Sequence, residues 1–332
     1  MMKTKKNTRI SYLSIDQSNA LKGLLMLLII LGHNHILVPQ TGQLIVYLYK
    51  FHIYCFFILP FLYNKRTDLN IKNIVDIFVK NWIPYLFFFL ISYFIYHVIV
   101  SKDKFFNINF LYGFLNGSTD ATKNTAGFIC LWFMPAYCSM SIVMLIYNNT
   151  NKYVKPIILL IAFTFYCFSG YSGFTIRKLF PIIPFAITQG FYYFTFGFVT
   201  KLLLDKILYI QYIGALIFII ISVLYWTVKL DNFYLVFSVS AFLFVYTFRN
   251  LLQKIPLLIN IGKYSFPIYL LHIFVYNFLE ILMQRTLLFG FIDYVLTVAI
   301  SMLIGYWMIN IDFIRKLIFP KNLNELKSMF VK

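Results

Sequence analysis

The side chains in this chain best suited to moving protons or gripping anions stand where such groups are rare. The stretch Ala20 to Leu37, ALKGLLMLLIILGHNHIL, is an apolar run carrying Lys22 near its start and His33 eleven residues on. At 100° per residue, eleven steps bring a helix round to within about 20° of its starting direction. Lys22 and His33 therefore share a face, about 16 Å apart along the axis. Ionisable groups at such depth in a membrane are costly. A tight hairpin after this run would set His52 at a depth similar to His33, with Lys50 close by. His33, Asn34, His35, Lys50 and His52 then form a dense polar group for which a water-filled cavity is the natural setting. The plainer reading is a set of imidazoles hydrogen-bonded between helices.

A second group lies in GKYSFPIYLLHIF at 262–274. Pro267 suits a first helical turn, and Ser265, Tyr269 and His272 follow one another at steps of four and three, which stacks them on one face. A neutral imidazole there can act as a base or orient a partner, or simply bond across helices. In VKNWIPYLF at 79–87, Lys80 precedes an apolar run. A cation at that level suits an anionic ligand such as a phosphate, and it equally suits topological anchoring. LWFMPAY at 131–137 offers Trp132 and Pro135, a kink or half-helix near the outer face.

The elements that must position these residues are apolar helices. Of 332 residues, 61% are hydrophobic and 12% charged, and mean hydropathy is +0.78, values outside the range of soluble domains. A pass for runs of roughly 20 apolar residues predicts about ten spans, at 20–38, 44–63, 81–100, 128–148, 156–170, 183–204, 208–228, 233–249, 264–283 and 291–310. The fold class predicted is an all-α, polytopic transmembrane helical bundle. The net charge of +18 is scattered between these runs and at the two tails, a pattern of membrane topology rather than of a nucleic-acid surface. With an even number of spans, 21 Lys and Arg fall on the side of the termini and 8 on the other, which puts both ends in the cytoplasm. The domain expectation is a cytoplasmic tail at 1–19, a membrane domain at 20–310 and a second cytoplasmic tail at 311–332. The first run is longer than a signal-peptide core and reads as a retained anchor. Cys55, Cys130, Cys138 and Cys167 lie in apolar runs without paired spacing, so neither a disulfide framework nor a zinc site is indicated and no metal is expected.

The chain holds no P-loop, dinucleotide turn, nucleophile elbow or HExxH. Glu280 is the one acidic residue clearly inside an expected span, with Asp293 at the edge of the last. A proton-coupled transporter would more often bury carboxylates within its helices.

At the segments already quoted the chain resembles the acyltransferase-3 family of integral membrane O-acyltransferases. The resemblance runs from NALKGLLMLLIILGHN, with its basic residue, ten intervening positions and His, through FHIYCFFILPFLY, VKNWIPYLF and LWFMPA to GKYSFPIYLLH. It implies a ten-helix domain in the bacterial inner (cytoplasmic) membrane. Such a domain takes an acyl group, usually acetyl from acetyl-CoA, and passes it to a hydroxyl of a glycan such as O-antigen, capsule or exopolysaccharide, or of an undecaprenyl-linked precursor. His33 takes the place of the family's essential first-helix His, with Lys22 its basic partner and Lys80 the third-helix basic residue. Two positions depart from the family: Leu59-Pro60 stands where Ser-Gly is usual, and Trp82 where a second basic residue is usual.

On this resemblance His33 and His272 are the expected catalytic residues. Lys22, Asn34, Lys50, His52, Lys80, Trp132, Ser265 and Tyr269 are the expected substrate-binding set. His33 would take the acceptor's proton or carry the acyl group itself. Lys80 or Lys22 would hold the nucleotide phosphates, while His272 and Tyr269 orient the acceptor. The competing readings are a polysaccharide-lipid flippase, which would usually be longer, and a glycan polymerase, which should carry a large basic outer loop. The 101–127 segment offers only Lys102, Lys104 and Lys123.

Overall fold

The computed structural model describes residues 12–63, 67–97, 108–127, 130–169, 185–228, 233–282 and 286–330; among them it is all-helical, with no strand. Helix α1, Ile15–His33, starts from a capping box, with the Ser14 side chain accepting from the Gln17 backbone while the Gln17 side chain accepts from the Ser14 backbone. Its buried residues fall on all sides, as befits a central helix. The second apolar run is broken: α2 covers Gln43–Tyr49 and α3 His52–Ile58, followed by a 3-10 turn at Leu59–Leu62. At the break the Lys50 carbonyl accepts from Ser238 Oγ at 2.6 Å. Interrupted backbone at membrane depth must be satisfied inside the protein in this way.

Helix α4, Ile71–Phe94, begins at an Asn70 cap and runs through Pro84. It starts ten residues before the apolar run expected at 81–100, so Lys80 lies within a helix rather than ahead of one. Short helices α5 (Ile108–Asn116) and α6 (Thr119–Ala126) lead to a 3-10 turn at Cys130–Trp132 and α7 (Phe133–Asn149). There follow α8 (Val154–Ser169), α9 (Phe185–Lys206), α10 (Ile210–Val228), α11 (Tyr234–Thr247), α12 (Arg249–Leu252), α13 (Pro256–Lys263), α14 (Ser265–Leu282) and α15 (Leu287–Asn310). Helices α16 (Asp312–Ile318) and α17 (Leu323–Lys327) close the described chain.

Among the described residues seven segments are long and apolar enough to cross a membrane: Ile15–His33, Gln43–Leu62, Ile71–His97, Cys130–Asn149, Ile210–Val228, Ser265–Leu282 and Leu287–Asn310. Val154–Phe168 and Tyr234–Thr247 are shorter apolar helices. Burial separates the seven into two sets. Half of the α1, α2–α3, α7 and α14 spans is buried in the protein, against 28% for α4 and 22% for α10 and α15. The first set is the inner bundle; the second turns residues such as Leu216, Val223, Leu303 and Trp307 outward, as lipid-facing helices do.

Two glycines hold α1 in register. A Cβ on Gly23 would lie 2.0 Å from the Leu258 carbonyl oxygen, and one on Gly262 would lie 1.7 Å from that of Asn19. The backbones of α1 and α13 therefore meet directly, the contact that small residues permit between membrane helices. At the other end Asn34 caps α1: its Oδ1 accepts from the backbone N–H of Ile36 and Leu37, and its Nδ2 donates to the Gly290 carbonyl at 2.9 Å and to Asp293 Oδ2 at 3.2 Å. Because α15 starts at Leu287, Asp293 sits in its second turn and is buried. It serves as an internal hydrogen-bond acceptor, not an edge charge.

Candidate active site

Two cavities follow one another along α1. The larger, of about 1550 Å³, is walled by Asn19, Lys22, Met26 and Ile29 from the first part of α1; the smaller, of about 230 Å³, is walled by Ile29 and His33. Ile29 and Tyr269 belong to both linings, so these side chains form the partition between the two.

The larger cavity is basic. Lys22, Lys80, Lys155, Lys201 and Lys263 line it, and Asp205, bonded to Lys201 at 2.9 Å, is the sole carboxylate among its lining residues. The lysines reach it from five helices, and several lie over aromatic rings, Lys22 over Tyr63 and Lys155 over Tyr147. That arrangement keeps the long stems packed while their charges face the cavity. A space of this size and sign admits a large polyanion. Ser265, also expected as a binding residue, lines it too.

The smaller cavity is lined by His33 together with Tyr49 and Cys130, side chains able to exchange protons with that imidazole. The His33 ring lies 5.2 Å from that of His272, centroid to centroid, and the Tyr49 hydroxyl stands 3.5 Å from its ring nitrogens. Cys130 Sγ is 3.5 Å from His33 Nε2. His272 Nδ1 lies 2.6 Å from the Tyr269 carbonyl, a contact that only an N–H can make. In the neutral ring the lone pair is then on Nε2, which is buried and has no hydrogen-bond partner among the described residues. Tyr269 donates its hydroxyl to the Cys130 carbonyl at 2.5 Å. Trp132 lines the same cavity and stacks on Tyr193 at 5.9 Å.

The structure thus brings His33, His272, Tyr269 and Trp132 together, with Lys22, Lys80 and Ser265 beyond the Tyr269 partition. It sets other expected residues apart. His52 is buried behind Tyr49, whose ring stands edge-on between it and His33 at 4.9 and 6.1 Å; its Nδ1 contacts the Leu48 carbonyl. Lys50 lines neither cavity; it is buried against the faces of Tyr234 and Tyr225 at 4.5 and 5.4 Å. Asn34 is spent on capping α1 and on α15, and His35 is exposed beside Gln40.

Sequence reasoning did not single out Tyr49, Cys130 or Tyr193, nor Lys155, Lys201 and Lys263 in the larger cavity. The one available signal for Cys130 was its place just before LWFMPA. Its Sγ and a ring nitrogen each from His33 and His272 lie within 4.8 Å of one another, a set of donors that could hold a metal ion. Residues 101–107, which include Lys102 and Lys104, lie outside the described residues.

No curated protein and no solved structure matches the chain. Residues 15–310, from the first residue of α1 to the last of α15, match the acyltransferase-3 family, described as an acyltransferase domain. The match takes in the whole lining of the smaller cavity, all of the larger one's but Tyr12, and every residue of the His33 cluster, and the protein, a membrane acyltransferase, belongs to the acyltransferase-3 family.

Proposed function

We propose that the protein moves an acetyl group from acetyl-CoA to a hydroxyl of a cell-surface glycan, such as O-antigen, capsule or exopolysaccharide, or of its undecaprenyl-linked precursor. It does so in the inner membrane, with both termini in the cytoplasm. The observation that carries this reading is the shared partition: a cavity with five lysines and one carboxylate abuts, through Ile29 and Tyr269, a small cavity lined by His33, whose ring lies 5.2 Å from that of His272. The first suits the phosphates of a nucleotide thioester; the second suits proton transfer in a confined space.

In this mechanism the phosphates rest among Lys22, Lys80 and Lys263, and the pantetheine arm brings the thioester past Tyr269. His33 accepts the proton of the acceptor hydroxyl as that oxygen bonds to the thioester carbonyl carbon. The Tyr49 hydroxyl is the nearest donor for the oxyanion that develops. The tetrahedral centre collapses by breaking its carbon–sulfur bond, and the imidazolium returns the proton to the leaving thiolate. His272, fixed by the Tyr269 carbonyl, orients the acceptor through its Nε2. Trp132 and Tyr193 offer a stacked aromatic wall against which the acceptor can lie.

The test is His33→Ala in cells that make the polysaccharide. NMR of the purified surface glycan should show an O-acetyl signal reduced by about 10²- to 10⁴-fold, with the protein still present in the membrane at its normal level. Undiminished acetylation in that variant rejects His33 as the base.

A further inference from the structure

Cys130 shares its cavity with an imidazole placed to accept its proton. We propose that the Cys130 thiol carries the acyl group as a thioester between donor and acceptor, with His33 serving as base in both halves of the reaction. The proposal rests on the acyl-transfer reading above and replaces its direct transfer with two steps through a covalent intermediate on Cys130.

Three observations meet at this sulfur. Sγ lies 3.5 Å from His33 Nε2 and lines the small cavity. The backbone of Cys130 is held by the Tyr269 hydroxyl on its carbonyl, so the sulfur sits on an anchored turn. The third is His272, which contributes a ring nitrogen to the same 4.8 Å cluster and whose buried Nε2 has no hydrogen-bond partner among the described residues. Nucleophile, base and a third polar group grouped around the base form the arrangement that covalent catalysis requires. The other cysteines differ. Cys55 bonds the Ser238 carbonyl at 4.0 Å, Cys138 bonds the Ile77 carbonyl at 3.9 Å and the Trp82 side chain, and Cys167 is exposed on α8.

In the first half-reaction the Cys130 thiol proton moves to His33, the sulfur bonds to the acyl carbonyl carbon, and the carbon–sulfur bond to the donor breaks. The donor thiolate takes the proton from His33 and leaves as a thiol. One thioester replaces another, so no oxidant, reductant or further reactant is needed. In the second half the acceptor hydroxyl gives its proton to His33 and bonds to the same carbon. The bond to Cys130 breaks, and its sulfur recovers the proton. Cavity size favours this route: about 230 Å³ lies below the range of roughly 300–1,000 Å³ that encloses a drug-sized ligand. An acetyl group and one hydroxyl fit there in turn more readily than a pantetheine arm and a sugar together.

The purified full-length protein, incubated with radiolabelled acetyl-CoA and no acceptor, should retain one acetyl group. Mass spectrometry should find it on the peptide containing Cys130, and neutral hydroxylamine should release it. Adding acceptor should discharge it. Cys130→Ala and His33→Ala should both abolish the label and slow transfer by more than about 100-fold, while Cys167→Ser should keep both. Initial rates against both substrates should give parallel double-reciprocal lines.

A wild-type enzyme that consumes acetyl-CoA without labelling Cys130 overturns the proposal with no variant needed. So does label on His33 in place of Cys130, transfer by Cys130→Ala within about twofold of wild type, or a stoichiometric metal ion that is lost in that variant. If Cys130→Ala is active while His33→Ala is dead, the relay alone falls and the base assignment stands. If acetyl-CoA is not consumed at all, the donor reading falls with it.

Discussion

Alanine at Gly23 or at Gly262 tests whether the close approach of α1 and α13 sets the position of Lys22. The Cβ added at Gly23 would meet Leu258 O at 2.0 Å, and that at Gly262 would meet Asn19 O at 1.7 Å, whereas ordinary contact begins at 3.4 Å. Both neighbours are backbone atoms, so no side chain can swing aside and the helices must part by more than 1 Å. A radial gap of 0.5–1 Å forfeits a quarter to a half of each contact's well. A buried Leu makes some 40–60 contacts of ~0.1–0.2 kcal/mol, so each such side chain loses at least about 1–3 kcal/mol. Leu21, Leu25, Leu258 and Ile261 are all buried on these two helices. Replacing a helical glycine by alanine returns only about 1 kcal/mol of helix propensity. The net change is therefore a loss of about 3 kcal/mol or more for either substitution.

Gly32→Ala on the same helix is the control, because its Cβ would meet only Tyr49 Cε2, at 3.7 Å. It should be neutral or slightly stabilising. The assay is thermal unfolding of each purified variant in one detergent, followed by size-exclusion chromatography after heating. Gly23→Ala and Gly262→Ala should lower the midpoint by roughly 5 °C or more, Gly32→Ala should not, and the double variant should fall well short of the sum because both relieve one interface. If Gly23→Ala and Gly262→Ala both melt with the wild type, the close-packed seam is wrong, and with it the reason that Lys22 faces the larger cavity.

Neutralising the basic cavity should act on donor binding: Lys80→Gln and Lys263→Gln should each raise KM for acetyl-CoA several-fold, up to about tenfold, as loss of one partly screened charge contact implies, with kcat little changed in a steady-state assay. A second expectation concerns pH and the segment after α15, where Asp312 bonds Lys316 at 2.6 Å and Arg315 at 2.8 Å, and Arg315 bonds Glu325 at 2.6 Å. Hydrogen bonds from Lys316 and then Arg315 hold the Asp312 carboxyl below its ordinary value of 3.8. A lowered folded value means that the contribution is present above the unfolded value and is lost as pH falls through the folded one. Hydrogen exchange across 312–327 should therefore speed up, after correction for intrinsic rates, once the pH drops below about 3.8, and Asp312→Asn should remove that step.

How far the site could be read from sequence depended on whether its signal was local. His33 and Lys22 were legible because a charge and an imidazole in an apolar run stand out, and because helical spacing alone puts them on one face; the two cavities along α1 follow that face. Tyr269 and His272 were legible for the same reason. Tyr49 and Tyr193 were not, since two tyrosines among 26, in a chain that is 21% aromatic, carry no mark of their own. Cys130 acquires its meaning from His33, 97 positions away, and no spacing rule reaches that far. Span boundaries failed where polarity misled: the Asn70 cap begins α4 well before hydropathy rises, and Thr286 caps α15 ahead of the run expected at 291.

Lys50 shows most clearly why density of polar residues in a sequence is a weaker guide than the path of the backbone. On a continuous helix from Gln43 to Ile58, Lys50 and His52 would stand about 200° apart, on opposite faces, so no single polar stripe could have held both. The chain instead breaks at Lys50 and Phe51, where Phe51 leaves the helical region with φ −141°, and two short helices form in place of one. Tyr49, the last residue of α2, thereby faces His33, while Lys50 sits over the rings of Tyr234 and Tyr225. Those ring faces contribute electrostatic stabilisation to the buried ammonium. The break, satisfied by Ser238 on the Lys50 carbonyl, thus does two things at once. It leaves Lys50 outside both cavities and puts the Tyr49 hydroxyl 3.5 Å from the His33 ring nitrogens.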